Sequence, residues 1–343
     1  MQLYNTLSAI ERAALIEEAG KERLTISFYT YAHIGNTNIF RNHLFINWNE
    51  MDVLGRIYVA HEGINAQLSV PAENFNVFKE RLDSISFLEN VRLNIAIEQD
   101  NLSFLKLKVK VRNKIVADGL EDNSFDVTNK GIHVGAEQFN ELIEDPDTVL
   151  VDMRNHYESE IGHFKNAITP DVDTFRDSLD IIERDLADHK KDKKLVMYCT
   201  GGIRCEKASA YYKHKGFEQV YQLEGGIIEY TRQVEKNNLE NKFKGKNFVF
   251  DHRRGERISD DVIANCHQCG EPCDEHVNCA NEACHLLFIQ CKSCAEKMNN
   301  CCSDKCKEVH ELPFEEQKAL RKGKVVSNKI FKKGRSEVLK FKK

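Results

Sequence analysis

The chain has 343 residues, 41% hydrophobic and 30% charged, with a formal net charge of −5. That length accommodates two or three domains, and the composition is that of a water-soluble protein rather than a membrane or disordered one. The opening Met1-Gln2-Leu3-Tyr4-Asn5-Thr6 has neither a basic n-region nor an apolar core, and no run reaches the ~18 apolar residues of a membrane span. The expectation is a cytoplasmic protein with no membrane partner.

Residues 7–20 place Leu7, Ile10, Ala13, Ala14 and Ala19 among charged residues, which predicts an amphipathic helix stopped by Gly20. Leu24 to Ile34 is rich in β-branched and aromatic residues. Gly55–Ala60 and Ile64–Val70 read as strands around His61-Glu62-Gly63, and Pro71 to Leu82 as a helix with Pro71 and Glu73 in its first turn. Phe104 to Val111 alternates apolar and basic residues, so one face is buried and the other wet. Together these elements predict a small N-terminal α+β domain over 1–115, of the ferredoxin or acylphosphatase-like type, with an open antiparallel face. The wet side of the last strand lines up Lys106, Lys108 and Lys110, with Arg112 beyond them. Such a stripe is either an ordinary solvated sheet face or an RNA contact.

Val116 to Lys130 is polar and weakly periodic, a linker. Beyond it, short strands and helices alternate: a helix over Ala136–Glu144, a strand at Val149–Asp152, a helix over Thr174–Leu186, a strand at Leu195–Tyr198 and its helix, a strand at Val220–Leu223, and a helix from Gly226. Alternation of this kind predicts a parallel sheet covered by helices over 131–237, with ligands bound beyond the C-terminal strand ends, where Asp152 and Cys199 emerge.

Cys199-Thr200-Gly201-Gly202-Ile203-Arg204 separates the Leu195–Tyr198 strand from the helix that begins near Arg204. The glycines let successive N–H groups turn inward, and the helix N-terminus adds positive potential. With Arg204 contributing a fixed charge, Cys199 is expected to be a thiolate nucleophile in an anion-cradling loop rather than a buried core filler. Cys205, inside the helix start, is either a plain helix residue or a resolving thiol for an oxidised Cys199.

After a connector at 238–265, ten of the twelve cysteines crowd into 266–306. They form the pairs Cys266/Cys269, Cys279/Cys284, Cys291/Cys294 and Cys302/Cys306, leaving Cys273 and Cys301 over. Paired thiols across a short gap present two sulfurs to one tetrahedral ion, so two structural zinc sites are expected. Two pairings are open: first with third and second with fourth, giving interleaved sites, or neighbour with neighbour; His267, His276 and His285 are donors that can replace a thiolate, and an iron–sulfur cluster is the other metal group such pairs hold. The 307–343 tail is basic: from Lys318 to Lys343 eleven Lys and Arg face a single acid, Glu337. That suits a polyanion or a solvated terminus. No Gly-x-Gly-x-x-Gly segment for a flavin or nicotinamide is present, and the one His-x-acid match to a non-haem iron triad, His156-Tyr157-Glu158, reads as structural.

The stretch Val149-Leu150-Val151-Asp152-Met153-Arg154-Asn155, Glu158 followed by Gly162-His163-Phe164, the Cys199–Arg204 loop and Leu223-Glu224-Gly225-Gly226 together resemble a rhodanese domain. Its loop has four residues between cysteine and arginine, whereas the related cysteine phosphatases have five, which leaves less room for a phosphate dianion. Gly55–Ala60 and Glu62-Gly63-Ile64-Asn65 in front, with the cysteine block behind, resemble the rhodanese-containing tRNA uridine hydroxylases over nearly the full chain. That resemblance implies oxygen-dependent 5-hydroxylation of the wobble uridine, with tRNA as partner, molecular oxygen as co-substrate and Cys199 matching the family's essential cysteine. Arg204 then shares the catalytic loop, with Asp152, Arg154 and Cys205 as accessory residues. The loop by itself equally suits a sulfurtransferase carrying a Cys199 persulfide, and an RNA-binding adapter that keeps the fold without turnover is the non-enzymatic alternative.

Overall fold

The computed structural model describes residues 7–120, 125–322 and 336–341. Positions 323–335 and 342–343 of the basic tail, and 121–124 of the linker, lie outside the described residues. Two compact units emerge: Met1–Arg154 with Thr174–Asn241 and Val249–Arg253, and Asn155–Asp173 with Lys242–Phe248 and Arg254–Lys343.

In the first unit, helix α1 (Ala9–Ala19) starts at a Ser8 capping box with Glu11 and ends at Gly20, whose φ of +60° suits a residue without Cβ. Its apolar face is not buried as the periodicity suggests. Ile10 is 82% exposed, and the residue the helix does bury is Arg12, whose guanidinium donates to the Leu7 carbonyl at 2.9 Å. Most of its apolar positions are alanine, too small to drive packing.

Strand β1 (Arg23–Tyr31), helix α2 (Thr37–Glu50), strands β2 (Leu54–Ala60) and β3 (Gly63–Pro71), helix α3 (Phe75–Asp83) and strands β4 (Asn94–Ile95) and β5 (Leu107–Val111) build one five-stranded sheet of order β4-β1-β3-β2-β5. The expected antiparallel arrangement holds for four strands, but β5 pairs with β2 in parallel, because the chain crosses from β4 before returning. Residues 35–54 carry no element in the sequence reading, yet α2 is the helix that closes this core. Trp48 lies edge-on to Phe28 at 6.3 Å and tilted against Phe78 of α3 at 5.6 Å. Ile26, Phe28, Ile57, Val59, Ile64, Ala66, Leu68 and Val109 fill the inner sheet face. By the period of two, the opposite face takes Ser27, Tyr29 and Tyr31 of β1, Asn65 and Gln67 of β3, Arg56 and Tyr58 of β2, and Lys108 and Lys110 of β5.

Strand β6 (Ile132–Val134), helix α4 (Ala136–Glu144), strand β7 (Thr148–Asp152), then helix α5 (His156–Ser159) and strand β8 (Gly162–Phe164) of the second unit, lead to helix α6 (Phe175–Asp185), strand β9 (Lys194–Tyr198), helix α7 (Ile203–His214), strand β10 (Gln219–Leu223) and helix α8 (Gly226–Asn237). The sheet order is β6-β10-β9-β7, every pair parallel, as the alternation predicts. Val151, Met153, Leu195, Met197, Phe175, Leu179, Ala208 and Tyr212 form its core.

In the second unit, strands β11 (Phe243–Asn247) and β12 (Glu256–Arg257) join β8 in order β12-β11-β8, and β13 (His276–Asn278) pairs with β14 (Leu287–Ile289). Three short helices follow, α9 (Lys292–Met298), α10 (Asp304–Glu311) and α11 (Phe314–Arg321). The core beneath this cysteine region is small: Cys279, Leu286, Phe288, Cys301, Cys302 and Leu339.

Candidate functional site

Central strand β9 is apolar because both its faces are covered, and it delivers Cys199 at its C-terminal end, fully buried. The turn that follows folds the backbone back on the sulfur. Gly202, at φ +100°, donates its N–H to Cys199 Sγ at 3.1 Å. Helix α8 anchors the loop from beneath: the N–H groups of Ile227 and Ile228 reach the Cys199 and Thr200 carbonyls at 3.0 and 3.3 Å. A Cβ on Gly226 would lie 2.4 Å from the Cys199 carbonyl oxygen, which explains the glycine at that point of the Leu223–Gly226 motif.

Arg204 and Cys205 occupy the first turn of α7 and are both buried. Arg204 reaches Thr200 Oγ1 at 3.4 Å. Burial alone would raise the Cys199 thiol, but the Cys205 S–H, the Arg204 charge and the N–H groups of Cys205 and Arg204 outweigh it and hold the pKa at about 5. Burial and the neighbouring Cys199 push the Cys205 thiol well above its ordinary value, so Cys205 stays protonated and donates. Ile203 and Gly201 complete the loop. Asp152 and Arg154 are fully buried and closed on each other, Arg154 Nη2 lying 2.6 Å from Asp152 Oδ2, and Tyr198 donates to the same carboxylate at 2.8 Å. This pair stiffens the strand ends rather than opening toward a ligand.

The wet sheet face of the N-terminal domain lies over the loop, a contact the sequence reading missed because it assigned no faces to β1. Tyr29 donates to Glu206 at 3.3 Å and Tyr31 to the Ile203 carbonyl at 3.4 Å. Asn94 on edge strand β4 donates its amide to the Gly201 carbonyl at 3.5 Å. Glu206 is also held by His133 and Lys130, each at 3.0 Å, and Lys207 is buried between Glu62 and Asp118, 2.5 Å from each. The alternation Ser27, Tyr29, Tyr31 against Ile26, Phe28 was the available signal. Further along the same face Lys106, Lys108 and Lys110 are exposed as the pattern predicts. Arg56 lies in register with Lys108, and Arg112 stacks over Tyr58 at 5.5 Å. Burial and then the neighbouring Lys106, Lys110 and Arg56 lower the Lys108 pKa, the mark of a concentrated positive patch.

In the cysteine region the described residues form two groups able to hold a metal: Cys266, Cys269, Cys291 and Cys294, and Cys279, Cys284, Cys302 and Cys306, the sulfurs of each within 4.8 Å of one another. First therefore joins third and second joins fourth, the interleaved arrangement. Cys273, Cys301, His267, His276 and His285 stand outside both groups. Cys291 and Ser303 cap α9 and α10, which puts one cysteine pair of each site at a helix start, where thiolates are favoured. The N–H of Cys291 points at Cys266 Sγ and that of Cys302 at Cys279 Sγ, both at 3.4 Å.

Among known families, a rhodanese-like domain matches residues 135–233, the UPF0176 acylphosphatase-like domain matches 23–115, and a rhodanese C-terminal family matches 244–307. Over 320 residues the chain is 54% identical to a tRNA uridine(34) hydroxylase of Leptospira interrogans, covering 93% of this chain and 87% of that one. A tRNA uridine(34) hydroxylase of Photorhabdus laumondii is 54% identical over 334 residues, covering 97% of this chain and 95% of the relative. No helix among the described residues is long and apolar enough to cross a membrane.

With the native pKa near 5, Cys199 is ionised above that pH and loses its charge as the pH falls through it. In Arg204→Gln the midpoint is expected to rise, read as thiolate ultraviolet absorbance against a Cys199→Ser blank. An unchanged midpoint would leave the hydrogen bonds alone responsible.

Proposed function

The chain belongs to the tRNA uridine(34) hydroxylase family, and from that premise we propose that the Cys199 thiolate is the group that activates the wobble base. The enzyme is an oxidoreductase of tRNA modification with tRNA as its substrate, and we infer from that substrate that it works in the cytoplasm. The observation that carries the proposal is the Cys199 cradle, in which the Cys205 S–H, the Arg204 charge and inward N–H groups outweigh burial and hold the thiolate near pKa 5.

Uridine 34 is single-stranded and unstacks at modest cost, so it can be drawn into a pocket as a flipped base is. Cys199 Sγ then forms a bond to the electron-poor C6, and the C5=C6 pair moves onto C5 and the C4 carbonyl as an enolate. Arg204 and the loop N–H groups hold the thiolate before attack and receive it again on departure. The C5 carbanion gives its pair to molecular oxygen, a two-electron reductant of the thiol or nicotinamide class cleaves the O–O bond, and water leaves. Loss of the C5 proton with departure of the sulfur restores the C5=C6 bond and yields 5-hydroxyuridine. In the balance, uridine, oxygen, two electrons and two protons become 5-hydroxyuridine and water. Thr200, Gly201, Gly202 and Ile203 shape the cradle, Cys205 donates to the thiolate, and Asp152 with Arg154 stiffens its base. A persulfide would fit the same cradle; likeness to hydroxylases along nearly the whole chain supports the base as the partner instead.

The two cysteine groups fit one tetrahedral ion each. Cys269 Sγ lies 3.7 Å from Cys291 Sγ, and Cys302 Sγ lies 3.7 Å from both Cys284 and Cys306. Four sulfurs ~2.3 Å from zinc stand about 3.75 Å apart. Sulfurs this close surround a single ion and leave no room for a multi-iron cluster. With all four positions filled by protein, zinc would hold the fold and offer no site to substrate.

The Lys106, Lys108 and Lys110 stripe, on the sheet face that also covers the thiolate, is the surface along which the tRNA backbone runs.

Three measurements test these assignments. In cells carrying Cys199→Ala as the sole copy, 5-hydroxyuridine and its derivatives should vanish from tRNA nucleosides; undiminished levels would remove the thiolate from the chemistry. Metal analysis of native, reduced protein should find two zinc ions per chain, and protein free of zinc would sink that assignment. Neutralising Lys108 and Lys110 together should weaken tRNA binding and lower the slope of log K against log salt by about 1–2. An unaltered slope would take the stripe out of the RNA path.

A further inference from the structure

Asn94 is 4% exposed, and its amide meets the thiolate loop directly. A carbonyl can only accept, so the Gly201 oxygen fixes which way the amide points: its NH2 group faces the loop and its oxygen faces away. That oxygen, Oδ1, is buried and has no hydrogen-bond partner. A buried acceptor left unpaired is costly, and such groups recur where a ligand completes the set. The orphan lies on the amide that touches Gly201, two residues from the sulfur that Gly202 cradles.

We propose that Asn94 is a specificity-determining residue that recognises the uracil edge, accepting the N3–H on Oδ1 and donating its second N–H to O4. The inference deepens the reading of Cys199 as the base-activating thiolate and rests on it. Uracil presents a donor at N3 flanked by carbonyl oxygens, whereas cytosine presents an acceptor at N3 and a donor at C4. An amide free to turn over would pair with either base. Here Gly201 holds it in the orientation that suits uracil and opposes two acceptors against cytosine.

Strand β4 is well placed for this. It pairs with β1 through two residues only, Ile26 with Ile95 and Ser27 with Asn94, so Asn94 stands on the sheet edge diagonal to Tyr29. Tyr29 lies against the loop from the same face, a Cβ on Gly202 falling 2.8 Å from its hydroxyl. Half-buried Tyr29 is the side chain that turns aside as the base arrives, in the way interface rotamers commonly do. Arg232 of α8 holds the other side of the strand through the Ile95 carbonyl and, at 3.0 Å, the Ala96 carbonyl.

The test uses anticodon stem-loops carrying uridine, cytidine or 3-methyluridine at position 34, bound to the full-length protein and to Asn94→Ala. Native protein should favour uridine over each of the other two by about 10-fold or more, since both lack the N3–H. In Asn94→Ala the preference over cytidine should fall to within about 2-fold while the Cys199 titration midpoint stays where it was. Equal binding of the three stem-loops by native protein would overturn the proposal even if the variant does not fold. So would a preference that survives in Asn94→Ala, or one lost only together with a shifted Cys199 midpoint, which would make Asn94 a mere support of the loop. Native protein that prefers uridine, together with undiminished hydroxylation by Cys199→Ala, would instead count against the catalytic reading and leave the Asn94 assignment standing.

Discussion

A buried ammonium joins the two functional halves of the first unit. Lys207 Nζ lies 2.5 Å from Glu62 and 2.5 Å from Asp118, with the lysine side chain 1% exposed. Burial by itself lowers its pKa, but hydrogen bonds to Asp118 and Glu62 and their charges more than offset that and raise it. Glu62 sits in the β2–β3 turn of the N-terminal domain and its other oxygen takes the Ile115 N–H at 2.7 Å, while Asp118 is held by Lys114 at 2.7 Å. A charge so enclosed tolerates one arrangement of its partners, so this cluster specifies how the sheet lies on α7 more than it adds to stability. Because α7 is also the helix that begins at the thiolate loop, the same contact sets Tyr29, Tyr31 and Asn94 over Cys199.

That docking gives a single sheet face two tasks. At one end its tyrosines and asparagine cover the Cys199 loop; at the other Arg56, Lys108 and Lys110 concentrate positive charge beside the stacked Tyr58–Arg112 pair. The buried end is aromatic and amide-bearing, which suits the proposed recognition of an unstacked base, and the exposed end is basic, which suits the proposed phosphate backbone contact. A thiolate confined beneath such a cover is also shielded from adventitious oxidants, which matters for a cysteine ionised throughout the neutral range.

The second unit solves a different problem. In its cysteine region the apolar core amounts to a few side chains around Phe288, too little to hold three short helices and a two-stranded hairpin. An ion in each of the two interleaved four-cysteine groups would tie positions far apart in sequence, Cys266 to Cys294 and Cys279 to Cys306, so that neither site would form without ordering the segment that carries the other. Interleaving makes the region one cooperative piece.

Much of this was legible in the chain. The four-residue gap from Cys199 to Arg204, the glycines within it, the apolar β9 and the paired cysteines each express a local requirement, and local requirements leave a mark at short sequence distance. The alternation of Phe104–Val111 likewise told which lysines face water. Helix α2 escaped because its apolar stripe of Phe40, Leu44 and Trp48 is diluted by asparagines, and α1 misled because periodic alanines do not by themselves bury a face. What the sequence determined, then, is the thiol at the end of β9, the loop that surrounds it and the spacing of the paired cysteines. Which cysteine pairs share a site, that Lys207 reaches back to Glu62, and that Asn94 turns an unpartnered oxygen beside the loop were decided by tertiary structure alone. These contacts join residues tens to more than a hundred positions apart, and their energy depends on burial and orientation that no local pattern encodes.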